Sequence, residues 1–279
     1  MLPGNLTNHV YLSELLLTNE KFVTTCDELT AILDKYEIPY SFLKQTKDIW
    51  CRDYMPIQIE MNRYVQFRYE PSYLSKYLQL QSDPMLVCAA NGLKPIFSNI
   101  NLDGGNIVNW TDKALVSNRI FSENRGYEGN LVADIEKLLE AEVIVIPFIN
   151  GDMTGHADGL VRFYNNNTII GNNREDEYKY WKRGINGQLK KHRLNYIDIP
   201  FFEFKDKRYP DNAIGCYVNF LEVANLIVLP AFDAKHNKNE EVYDIFKEYY
   251  PERDIEMIDL TEIGKLGGLL NCITWTIAQ

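Results

Sequence analysis

The stretch Gly267-Gly268-Leu269-Leu270-Asn271-Cys272-Ile273-Thr274 places a thiol just after a glycine pair, at the edge of an apolar β-type run. A thiol attacks carbon only as thiolate, and a nearby cation or base is needed to form one. Three upstream stretches offer such groups: Trp50-Cys51-Arg52-Asp53, Leu102-Asp103-Gly104-Gly105-Asn106 and Gly155-His156-Ala157-Asp158-Gly159. His156 supplies a positive charge, or a proton donor and base. Asp103 is the candidate to hold His156 in orientation, completing a nucleophile–base–orienter set. Asp158 lies two residues after His156, so on a strand the two side chains share a face. Asp53 and Asp158 converging in one place would be costly without a cation between them. A planar guanidinium suits that position, because its donor fork engages carboxylates in pairs. Taken singly, each residue has a simpler use: a buried inert cysteine, a half-buried histidine, a turn-capping aspartate, a hairpin glycine.

The elements that must bring these residues together recur along the chain. Two short β-type runs joined by a polar turn are followed by a helical stretch and another apolar run. The paired runs are Ile57-Gln58-Ile59 with Val65-Gln66-Phe67, Asn106-Ile107-Val108 with Ala114-Leu115-Val116, and Leu160-Val161-Arg162-Phe163 with Thr168-Ile169-Ile170. A fourth pair is Cys216-Tyr217-Val218 with Leu226-Ile227-Val228-Leu229. Amphipathic spacing predicts helices over Asp27–Lys35, Asp134–Leu139 and Glu240–Tyr249, and third strands over Val143–Pro147 and Asn195–Ile199. Hairpins starting near residues 55, 106, 159, 215 and 268 give a period of about 50 residues. The last hairpin stops short, and Val10-Tyr11-Leu12 is placed to supply its missing strand and close a ring. The expected fold is α/β: a five-bladed, pseudo-symmetric propeller over residues 1–279 as one domain. Many short hairpins count against a doubly wound parallel sheet. Equivalent positions in such a ring face one axis, and Asp53, Asp103, Asp158 and Cys272 each stand close to a hairpin start.

Composition narrows the partners. A formal charge of −10 argues against a nucleic-acid backbone and is compatible with a cationic small molecule. No window approaches the roughly 18–20 apolar residues of a membrane span. The five scattered cysteines lack ligand spacing and suit a reducing compartment. With no basic-then-apolar leader at Met1-Leu2-Pro3-Gly4-Asn5, the expected location is cytoplasmic. A homo-oligomer is compatible with the sequence. A zinc site from His156, Asp158 and Cys272 is a weaker alternative, since one histidine and one cysteine make an unusual ligand set.

Together the four stretches resemble the guanidino-group-modifying enzymes of the pentein fold, and most closely the agmatine deiminase and Porphyromonas-type peptidylarginine deiminase group. Trp50 to Pro56, Asp103 to Gly105, Gly155 to Asp158 and Gly267 to Thr274 match that group's motifs in order. The resemblance implies that Asp53 and Asp158 clamp a substrate guanidinium, with Trp50 packed alongside. It implies attack by Cys272, a thiouronium adduct, ammonia protonated by His156, and hydrolysis by water that His156 activates. Asp103 would steady His156, and neither metal nor organic cofactor would be required. Agmatine, arginine and arginyl compounds are the substrates implied. An amidinotransferase on the same fold and a non-catalytic pentein binding protein are the rival expectations. The chain departs from agmatine deiminases in Asn271, where histidine is usual, and in Met55, where glycine is usual; both changes bear on the substrate. A substrate carboxylate would call for an arginine, and Arg68 is the candidate.

Overall fold

A computed structural model describes all 279 residues. Its strands are β1 His9–Ser13, β2 Tyr40–Leu43, β3 Ile57–Glu60, β4 Arg63–Arg68, β5 Ile96–Asn101, β6 Ile107–Asn109, β7 Lys113–Ser117 and β8 Glu142–Ile146. They continue as β9 Val161–Asn165, β10 Thr168–Asn172, β11 Asn195–Ile199, β12 Leu221–Val223, β13 Leu226–Ala231, β14 Asp254–Asp259 and β15 Thr274–Ile277. Five crossover helices link second strands to third: α1 Val23–Lys35, α2 Pro84–Ala90, α3 Leu131–Leu139, α4 Lys179–His192 and α5 Asn239–Tyr249.

The strands form five three-stranded sheets, ordered β15-β1-β2, β3-β4-β5, β6-β7-β8, β9-β10-β11 and β12-β13-β14. In each, the first two strands pair antiparallel and the last two parallel. That is the expected α/β propeller of five units. A parallel pair needs a crossover, and the helices supply it. Ring closure falls where expected: Val10 pairs with Thr276, Tyr11 with Trp275 and Leu12 with Thr274. The side-chain amide of Gln58 extends the seam, donating to the Ala278 carbonyl at 2.9 Å and accepting from its N–H at 2.8 Å.

Each helix buries one stripe. Leu131, Ile135 and Leu139 face inward on α3, as do Trp181, Ile185 and Leu189 on α4, at the four-residue spacing of one helix face. The middle strand β13 is apolar along its whole length, and its residues Leu226 to Leu229 are all buried. At roughly 1.5–3 kcal/mol per buried large aliphatic side chain, this packing holds the ring.

The fourth hairpin corrects the sequence reading. Cys216-Tyr217-Val218 is not a strand; β12 begins at Leu221 and pairs Leu221 with Val228. The Cys216–Phe220 segment turns instead toward the axis, where Asn219 is engaged by the Asn271-Cys272 backbone. Helices α2 and α4 and the strands β5 and β14 were not read from the sequence. No helix is long and apolar enough to cross a membrane.

Candidate active site

The four motif stretches share a local form. Each is a single helical turn placed just before the innermost strand of its unit: Cys51–Tyr54 before β3, Gly104–Asn106 before β6, Ala157–Gly159 before β9 and Leu270–Ile273 before β15. His156 and Asp158 are therefore not alternate residues of a strand. His156 is the extended residue capping its turn, with φ −71° and ψ 145°, and Asp158 lies within the turn. A turn can aim polar side chains along the axis while the following strand keeps its apolar residues in the core.

At the turns the side chains meet. His156 Nε2 lies 2.8 Å from Asp103 Oδ2, and the Tyr73 hydroxyl donates to that same oxygen at 2.9 Å. On the other side of the ring, His156 Nδ1 is 3.5 Å from Asp53 Oδ1. Asp158 Oδ2 stands 3.9 Å from Cys272 Sγ and accepts a 2.6 Å hydrogen bond from Asn271 Nδ2. Asp53, Asp103, Asp158 and His156 are all buried, and Asp53 Oδ1 has no hydrogen-bond partner.

Two glycines make this closeness possible. A Cβ on Gly105 would lie 2.5 Å from Asp53 Oδ1 and 2.6 Å from His156 Nδ1. A Cβ on Gly268 would lie 2.5 Å from Trp50 Cζ3, so the indole packs directly on the backbone leading to Cys272.

Burial sets the protonation states. Burial pushes the Cys272 thiol well above its ordinary value, and the charges of Asp158 and Asp53 push the same way. Burial likewise raises Asp53 well above the usual carboxylate range, against the pull of His156. For His156 burial acts downward, yet Asp53, the hydrogen bond to Asp103 and the charge of Asp158 outweigh it and raise the group to about 10. The cluster thus holds an imidazolium and more acid than one imidazolium balances. A further cation placed between Asp53, Asp158 and the sulfur would relieve that excess and favour thiolate.

Two participants were missed. Asn219 Oδ1 accepts from the Asn271 N–H at 3.0 Å and the Cys272 N–H at 3.3 Å, and lies 3.5 Å from Cys272 Sγ. Its own amide donates to the Asp158 carbonyl at 3.4 Å, tying the Cys272 and Asp158 turns together. Tyr73 braces Asp103 from the β4–β5 connection and meets the His156 ring edge-on at 6.1 Å between centroids. The repeat carried the signal for Asn219, which opens the one unit whose turn was left without a candidate. Arg68 is not brought to the cluster: it pairs with Glu70 at 3.5 Å and stays partly exposed at the end of β4. Met55 is buried in the apolar core.

Comparisons with known proteins agree with the fold. The model of the Porphyromonas-type peptidyl-arginine deiminase family matches residues 13–277. Among solved structures, C. jejuni agmatine deiminase superposes with a TM-score of 0.80 at 18% identity, covering 100% of this chain and 95% of that one. A cysteine-to-serine variant of the C. jejuni enzyme with substrate bound gives 0.76 at 18% identity, covering 100% and 96%. The agmatine deiminase of Enterococcus faecalis gives 0.71 at 13% identity, covering 99% and 95%. No curated protein matches at the sequence level.

Proposed function

Because the chain belongs to the Porphyromonas-type peptidyl-arginine deiminase family, whose members are hydrolases of amidine C–N bonds, we propose that it converts the guanidino group of agmatine, arginine or an arginyl compound to a ureido group with release of ammonia. The observation that carries this reading is the Cys272 sulfur 3.9 Å from Asp158, within a buried cluster where Asp53 keeps an unpartnered oxygen. A guanidinium offers both a donor for that oxygen and the missing positive charge.

The chemistry follows from the protonation states. Substrate charge lowers the Cys272 pKa and the thiol proton leaves to solvent. The thiolate then adds to the guanidinium carbon, and the His156 imidazolium protonates the departing nitrogen, which leaves as ammonia. The adduct is a thiouronium on Cys272. Neutral His156 takes a proton from water while the hydroxide oxygen adds to the adduct carbon. Collapse breaks the C–S bond and frees the ureido product, with the last hydroxyl proton passing to solvent. Asp103, braced by Tyr73, holds the Nε2 side of the ring, leaving Nδ1 toward Asp53 and substrate. Trp50 packs along the substrate, and Asn271 fixes the Asp158 carboxylate.

The test is ureido product from agmatine, free arginine and arginyl peptides, compared with Cys272→Ala. The expected loss is at least about 10⁴-fold in kcat. Turnover surviving that substitution would take Cys272 out of the reaction. The most rapidly converted of the three compounds identifies the substrate class.

A further inference from the structure

Past Asn271, the axis of the ring opens into a second cavity of about 40 Å³, to which every innermost strand contributes: Gln58, Asn109, Arg162, Glu222 and Thr276. A water needs roughly 10–15 Å³ on this measure, so the space suits a few waters or one small ion. Arg52 and Arg162 both line it. Arg52 makes one long contact, from Nε to the Asn271 carbonyl at 3.5 Å. Arg162 donates from Nη1 to the Phe220 carbonyl at 2.9 Å and lies over the Phe220 ring at 4.7 Å. Neither guanidinium forms an ion pair, and the remaining nitrogens of both lack a protein partner. The one carboxylate lining the cavity, Glu222, is engaged by Arg253 Nη2 at 2.5 Å.

Two half-buried guanidiniums facing one cavity repel each other, and burying like charges is costly without a counter-charge. Burial and then the charge of Arg162 hold Arg52 below its ordinary value, while Asp158 acts the other way. Asp158 therefore offsets part of one arginine's charge from across Asn271, and a net positive charge remains at the cavity.

We propose that this axial cavity is a binding site for one small singly charged anion, a halide or a carboxylate no larger than acetate, held between Arg52 and Arg162. The space between the guanidiniums suits an anion of a few atoms. The site is distinct from the catalytic cluster, with Asn271 as the shared wall, and it does not depend on the reaction assigned above.

Bromide is the probe, used on Cys272→Ala protein so that catalysis plays no part. Crystals soaked in millimolar bromide are expected to show an anomalous peak between the two guanidiniums. Acetate should displace it and sulfate should not. In solution, bromide should raise Tm with saturation, and Arg162→Met should weaken that response more than about tenfold, the cost of a lost charge-assisted hydrogen bond. Arg162→Lys, which keeps the charge, should retain a weaker response and guards against a folding defect in the Met variant. The soak itself needs no substitution at Arg52 or Arg162. The proposal fails if no peak forms in the cavity, if occupancy needs molar bromide, or if the peak persists undiminished in folded Arg162→Met.

Discussion

The two ends of the propeller axis carry opposite charge although the same turns build both. At the catalytic end stand Asp53, Asp103 and Asp158; at the cavity stand Arg52, from the Cys51–Tyr54 turn, and Arg162, from β9. Sequence neighbours are divided between them: Arg52 lines the cavity while Asp53 meets His156, and Asn271 lines it while Cys272 turns its sulfur to the catalytic side. Successive residues of a helical turn point about 100° apart, so a single turn serves both ends. The difference teaches that a near-symmetric scaffold needs no asymmetry of backbone to become chemically polar. Residue choice at a few adjacent positions is enough.

After loss of the sulfur itself, the most severe way to break the catalytic end is to remove its clamp charge. Asp158→Asn keeps the shape and the bond to Asn271 but not the negative charge beside the sulfur. Its kcat/KM should fall by about 10³-fold or more, while far-UV circular dichroism stays unchanged. A loss below tenfold would mean that Asp158 shapes the turn rather than holding the substrate.

A milder cut separates positioning from charge. Asn219→Ala removes the acceptor for the Asn271 and Cys272 N–H groups without removing any charged side chain. The expected result is a kcat lower by about 10- to 100-fold with KM changed little, since a small displacement of a nucleophile is costly. A change in KM alone would place Asn219 in binding instead.

The smallest effect concerns the ground beneath both ends. Burial pushes the Asp48 carboxyl up to about 7, although it accepts the Trp50 N–H at 3.0 Å. An acid whose folded pKa is raised binds more protons folded than unfolded, so its contribution to stability falls as pH rises from about 4 to about 7. Asp48→Asn keeps the acceptor and removes the charge. It should raise stability by about 1–2 kcal/mol at pH 8 and have little effect at pH 4, measured by denaturant unfolding.

The sequence made the ring legible because its period is carried by hairpins, and hairpins announce themselves in alternating apolar residues and polar turns. The Cys272, His156, Asp53 and Asp103 stretches stood out because glycines and acids flank them. Asn219 did not, since its neighbours Val218 and Phe220 read as ordinary strand residues, and the strand was accordingly placed too early. Tyr73 sits in a long β4–β5 connection with no periodicity to point to the axis. The direction of Arg68 was also not legible: lying after the right hairpin does not say which way the side chain leaves the strand end, and here it leaves toward Glu70. The charge division was also invisible, because Arg52-Asp53 reads as a self-neutralising pair until the turn separates them.

The pairing of β15 with β1 joins the two most distant strands of the chain, and the Cys272 turn leads directly into that clasp. The strand that fastens the circle therefore also anchors the turn that seats the sulfur.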